Sequence, residues 1–234
     1  NILSPDKITL LPAMDAGCQM FDDTLEAEVE KAIAERPEAM VVSYVNTPAS
    51  VKAMSDICCT SSNAVSVIES LPRDKEIIFL PDGNLASYAA EQTKRQIHCW
   101  PGGCPVHGRL TAEEVRAAKQ IHPGALVLMH PECSAPVRAE ADYVGSTMGI
   151  IQYAEKSPVQ EFIIATECGV LYELRERCPK KKFYLASKKM LCVNMKKRTL
   201  EKVRAALETL EPRVVVPPEI REKAQAALTK MLEI

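Results

Sequence analysis

Val51-Lys52-Ala53, with Asp56 three residues on, returns 86 positions later as Val137-Arg138-Ala139 with Asp142. The same displacement lays Ile77-Ile78 on Ile163-Ile164 and Gly83 on Gly169, with no evident gap between the copies. A period this long exceeds the roughly 20 to 50 residues of the usual solenoids and suits small repeated α/β domains. Within each copy short apolar runs alternate with helical stretches, at 40–45, 77–80 and 97–99 and then at 126–129, 162–165 and 182–185. The alternation predicts parallel strands buried between helices.

Three cysteines extend the repeat, because Cys18, Cys104 and Cys192 stand 86 and 88 residues apart. A helical pattern opening on threonine follows each, at Thr24, Thr111 and Thr199, and in the last Leu200, Val203, Leu207 and Leu210 share one face. The run 8–11 before Cys18 then corresponds to 97–99 before Cys104, so the chain starts part-way through a unit. The segment 213–216 and a helix over 218–232 restore part of that unit. The predicted fold is α/β: three pseudo-threefold-related three-layer domains with short parallel sheets, the first incomplete. The predicted domains are 1–18 plus 193–234, 19–104 and 105–192. No low-complexity linker divides them, which predicts tight packing.

Composition narrows the function. With 47% hydrophobic and 26% charged residues the 234-residue chain is a folded globular protein. A net charge of -2 gives no reason to expect binding to a nucleic-acid backbone. No stretch approaches the roughly 18 consecutive apolar residues of a membrane span, and no basic-then-apolar leader opens the chain. The expectation is a cytoplasmic protein with neither nucleic-acid nor membrane partners. Nine cysteines, an odd number in such a setting, argue against a disulfide framework.

At the 86-residue displacement Tyr44 falls on His130 and Asn46 on Glu132, where the predicted strands end. Carboxyl ends of parallel strands form the usual binding crevice, and a tyrosine, a histidine and a glutamate there can serve proton transfers on a carbon acid. Polar residues also finish strands and cap helices without any catalytic role. The pair Thr60-Ser61-Ser62-Asn63 and Ser146-Thr147-Met148-Gly149 carries the same ambiguity: hydroxyls before a helix bind anionic oxygens or cap the helix.

Most of the cysteines read as small buried hydrophobes; Cys99, Cys133, Cys168, Cys178 and the Cys58-Cys59 pair fall in this group. Cys18, Cys104 and Cys192 differ, since symmetry carries them towards a common axis where three thiolates can share one soft metal centre. They suit an iron-sulfur cluster with one position left to solvent or substrate. A zinc site of three cysteines with His107 as fourth ligand competes.

These motifs resemble the quinolinate synthase family, the iron-sulfur enzymes of de novo NAD synthesis, along essentially the whole chain. The resemblance rests on Leu10-Leu11-Pro12 through Ala16-Gly17-Cys18, Ser43-Tyr44-Val45-Asn46-Thr47, Thr60-Ser61, Leu80-Pro81-Asp82 and Asn84-Leu85. It continues through Gly103-Cys104-Pro105-Val106-His107, His130-Pro131-Glu132-Cys133, Gly145-Ser146-Thr147, Ala165-Thr166-Glu167 and Cys192-Val193-Asn194-Met195-Lys196. It implies a 4Fe-4S cluster on Cys18, Cys104 and Cys192, acting as Lewis acid. It also implies condensation of iminoaspartate with dihydroxyacetone phosphate to quinolinate, with loss of phosphate and water. Tyr44, Asn46, Ser61, His130, Glu132, Ser146 and Thr147 are then expected to line the substrate pocket, with Lys156 near its entrance. Glu132 serves as base, with its pKa raised towards the working pH, and Tyr44 and His130 as donors. The enzyme that supplies iminoaspartate is the implied partner. Family members carry about sixty further N-terminal residues, and the unpaired strand edges their loss would leave favour truncation over a naturally short variant. That places the activity of this chain in question. The alternative is an iron-sulfur or zinc binding protein with a redox-sensing or metal-carrier role. A nucleotide-type α/β enzyme has no support, since no phosphate loop of the GxGxxG or GxxxxGK[ST] type occurs.

Overall fold

Four short parallel strands form each of two sheets. In the computed structural model, which describes residues 1–20 and 25–234, the first sheet holds β1 (Met40–Tyr44), β2 (Ile57–Cys59), β3 (Ile77–Leu80) and β4 (His98–Cys99) in the order β2-β1-β3-β4. The second holds β5 (Leu126–Met129), β6 (Tyr143–Val144), β7 (Glu161–Ala165) and β8 (Lys182–Leu185) in the order β6-β5-β7-β8. The order is the same in both, as the repeat predicts. Even the loop chemistry recurs: Asp56 accepts from the Val41 amide at 2.8 Å, and Asp142 from the Val127 amide at 2.7 Å.

The displacement of 86 does not hold throughout. Val42 pairs with Ile57 and Leu128 with Tyr143, in keeping with 86, but Met40 pairs with Ile77 whereas Leu126 pairs with Phe162. β3 therefore corresponds to β7 at 85, and Ile77-Ile78 matches Phe162-Ile163. The matched Ile-Ile letters mislead because a slip of one residue exchanges the two faces of a strand. At 85 the faces agree. Val42, Ile77 and Phe79 pack on Val67 and Ile68 of α3 (Ala64–Ser70) and Leu85 of α4 (Gly83–Thr93). Leu128, Phe162 and Ile164 likewise pack on Ile150 of α8 (Thr147–Lys156) and Leu174 of α9 (Val170–Arg177).

The opposite faces are covered too, giving three layers. Val41, Ile78 and Leu80 meet Leu25 and Val29 of α1 (Leu25–Glu35) and Val51 of α2 (Ala49–Ala53). Val127 and Ile163 meet Val115 of α6 (Ala112–Ile121) and Val137 of α7 (Ala135–Arg138). Thr111 caps α6 in a capping box with Glu114, and Thr199 caps α10 (Leu200–Thr209); Thr24 lies outside the described residues. Gly83 opens α4 where the chain folds back on itself: a Cβ there would stand 2.3 Å from the Trp100 carbonyl oxygen.

The ends of the chain depart from the expected pattern. Residues 8–11 form no parallel strand but a single antiparallel bridge, Leu10 to Arg213. The expected apolar face of α10 is open, with Leu200 84% exposed and only Ala206 of the helix buried. The final helix α11 (Pro218–Leu232) lays Ala227, Leu228 and Met231 into the core of the first sheet, beside α2 and β2.

Candidate active site

The central strands of both sheets end at one cavity of about 440 Å³. Tyr44 closes β1, His130 follows β5 and Thr166 follows β7, so strand carboxyl ends supply its floor. Asn46, Glu132 and Thr147 line it as expected, and so do Cys18, Cys104 and Cys192, each a free thiol. Three expected residues are not brought to its wall. Ser146 spends its hydroxyl capping α8, accepting from the Gly149 amide at 3.1 Å. Ser61 meets the hydroxyl of Tyr44. Lys156 is the last residue of α8, about 13 Å along the helix from Thr147.

Burial and charge sort the cavity's groups. Glu132 is 4% exposed, and its Oε2 lies 2.8 Å from Nδ1 of the equally buried His107 and 3.8 Å from Nδ1 of His130. Burial alone would raise the Glu132 pKa, but His107, His130 and Tyr44 around it bring it down to about 2. That reverses the expectation of a raised carboxyl: the neighbouring imidazoles outweigh the desolvation. Burial works against a charge on His107 as well, yet Cys104 and Glu132 beside it lift it to about 10. His130, stacked on His107 with ring centres 4.6 Å apart, is held to about 4 by burial and stays neutral. Its Nδ1 accepts from the Glu132 amide at 3.3 Å, which leaves Nε2 to carry the proton. Burial, then the Glu132 charge, keep the Tyr44 proton in place, with Ser61 opposing.

Each of two cysteines is held by a carboxylate at the end of a third strand. Asp82, fully buried, accepts from the Cys104 amide and from the Leu85 amide, both at 2.8 Å. Glu167 accepts from the Cys192 amide at 3.2 Å and the Gly169 amide at 2.7 Å. The two acids correspond at the displacement of 85 that relates β3 to β7. Burial and the Glu132 charge raise Asp82 to about 6. Cys18 is drawn in from the other side: Asn194 donates to the Gly17 carbonyl at 2.7 Å and Arg198 to that of Ala16 at 3.3 Å.

Two buried cations brace the loops that carry the polar groups. Lys52 donates to the Thr47 carbonyl, and Thr47 in turn donates to that of Tyr44 at 3.0 Å. Arg138, its counterpart, donates to the Cys133 carbonyl at 2.6 Å and reaches over to α4, meeting the Asn84 carbonyl at 3.2 Å and Glu91 at 2.5 Å. Among the cysteines assigned to packing, Cys58, Cys59, Cys133 and Cys178 are buried; Cys99 is exposed on the edge strand β4, and Cys168 is half-buried with its thiol towards Glu167.

No helix among the described residues is long and apolar enough to cross a membrane. The family described as quinolinate synthetase A protein matches residues 1–233. The quinolinate synthase of Methanoregula boonei is 52% identical over 233 residues, an alignment covering 100% of this chain and 77% of that protein. Those of Geotalea uraniireducens and Desulforudis audaxviator are 49% and 50% identical, with the same coverage.

Proposed function

The chain belongs to the quinolinate synthetase A family, and from the contents of its cavity we propose that it joins iminoaspartate to dihydroxyacetone phosphate, giving quinolinate, phosphate and water. The observation that carries this is one cavity lined by three free thiols together with Tyr44, Asn46, His130, Glu132 and Thr147. Three sulfur donors lining one cavity fit an iron-sulfur cluster, and Cys18, Cys104 and Cys192 would hold it. A 4Fe-4S cluster with three cysteine ligands supplies Lewis acidity at the one iron left without a cysteine. The same reading takes 19–104 and 105–192 as two units, with 1–18 and 193–234 as part of a third, each contributing one thiol.

The chain's own residues do the rest. Asn46 and Thr147, exposed at the rim, bind carboxylate or phosphate oxygens of the two substrates. Of the two carboxylates that line the cavity among the described residues, Glu132 is the buried one, and it takes the proton from the substrate carbon. His107 beside it holds Glu132 ionised and so ready to accept, at the cost of basicity, and the proton then goes to a departing hydroxyl. Neutral His130 and Tyr44 donate to oxygen atoms on which charge develops. Iminoaspartate hydrolyses in water, which favours delivery by the enzyme that makes it as a partner.

Anaerobic purification followed by iron, sulfide and product analysis tests the reading. About four irons and four sulfides per chain, and quinolinate formed from the two substrates, are the expected results. A cluster-loaded protein that makes no quinolinate would sink the reaction, and a metal without sulfide would sink the cluster.

A further inference from the structure

Cys104, His107 and Glu132 offer a sulfur, a nitrogen and an oxygen that all lie within 4.8 Å of one another. Cys104 is the N-cap of α5 (Pro105–Gly108), so His107, three residues on, falls on the same side of the turn. His107 is 6% exposed and its Nδ1 has no hydrogen-bond partner: the 2.8 Å approach to Glu132 Oε2 is a charge contact without hydrogen-bond alignment. The other ring nitrogen, Nε2, sits 3.0 Å from the Thr166 hydroxyl. A donor on Nε2 anchored by an outer oxygen, with Nδ1 turned to a thiol and a carboxylate, is how a metal-ligating histidine is oriented.

We propose that, in the cluster-free protein, Cys104, His107 and Glu132 bind a single zinc ion. One thiolate, one imidazole and one carboxylate make a usual tetrahedral zinc shell, with the cavity supplying water as the fourth ligand. Cys18 and Cys192 take no part, which distinguishes this site from a zinc held by three cysteines. The site and any cluster held by Cys104 exclude each other, so zinc arriving first blocks cluster loading. The inference stands apart from the proposed reaction, since it concerns the chain before a cluster is present.

The full-length chain, purified anaerobically, stripped of metal and desalted, is titrated with zinc in competition with a chromophoric chelator. X-ray absorption then counts sulfur in the shell. One zinc per chain with one sulfur neighbour is expected. Cys104→Ser, His107→Ala and Glu132→Gln, each removing a ligand, should each weaken binding by more than the roughly 10- to 100-fold that loss of an outer partner costs, while Cys18→Ala and Cys192→Ala leave it unchanged. Circular dichroism identifies any variant that fails to fold, and Thr166→Val, which removes only the oxygen beside Nε2, should weaken binding by a smaller factor. Three sulfur neighbours, loss of binding in Cys18→Ala or Cys192→Ala, or no one-to-one binding would each overturn the proposal.

Discussion

Replacing Arg138 by alanine tests whether a buried cation braces the loop that presents Glu132. Its guanidinium makes two short contacts, to the Cys133 carbonyl at 2.6 Å and to Glu91 at 2.5 Å, and weaker ones to Asn84 and Pro131. The Glu91 side chain is 46% exposed, so that ion pair is screened and contributes under about 1 kcal/mol. A charged donor to a buried carbonyl contributes about 1.5 to 3 kcal/mol, and its loss leaves the Cys133 oxygen looking into a hole. The total is about 3 kcal/mol, or a fall of roughly 6 to 12 °C in Tm for a chain of this size. Arg138→Lys keeps the charge but cannot span Cys133 and Glu91 with one ammonium, and should recover about half. Lys52→Met is the control. Lys52 is also buried, but among the described residues its hydrogen bonds go to the Thr47 carbonyl and hydroxyl and to no carboxylate, so removing its charge relieves desolvation as it loses the bond. That variant should stay within about 1 kcal/mol of the parent. Thermal melts of the three variants decide the matter. An Arg138→Ala protein melting within about 2 °C of the parent, or a Lys52→Met protein as damaged as Arg138→Ala, would refute the reasoning.

In the cluster-loaded enzyme Glu132→Gln should lower turnover by roughly 10²- to 10⁴-fold with the visible absorbance unchanged; near-normal turnover removes Glu132 as base. Alanine at Cys18, Cys104 or Cys192 should abolish bound iron, whereas alanine at Cys99, Cys133, Cys168 or Cys178 should leave the iron-to-chain ratio intact. Gly83→Ala places a Cβ 2.3 Å from the Trp100 oxygen and should cost about 1 to 3 kcal/mol, read as a lowered urea midpoint.

What the letters reveal and what they hide follows from how each feature is built. The two sheets are legible because buried parallel strands need unbroken apolar runs, and Ile77 to Leu80 or Phe162 to Ala165 can hardly be anything else. The register between them is not, since Ile-Ile matches at 86 and the true faces match at 85. Tyr44 and Glu132 were visible because one ends such a run and the other stands three residues beyond one. For Ser61, Ser146 and Lys156 the letters do not separate capping and support from lining, because these tasks call for the same residue types. His107 was legible as a metal ligand beside Cys104 but not as the partner of Glu132, twenty-five residues on, or of Thr166. Contacts of that kind depend on α5 lying against the neighbouring ends of β5 and β7, which no local spacing records. The acids Asp82 and Glu167 show how such a contact can be recovered. Once β3 and β7 are aligned at 85 they coincide, and each is found holding the amide of the cysteine that follows its unit's last strand. The repeat thus encodes the support of two of the thiols as well as the thiols themselves, since corresponding acids perform the same task at Cys104 and Cys192.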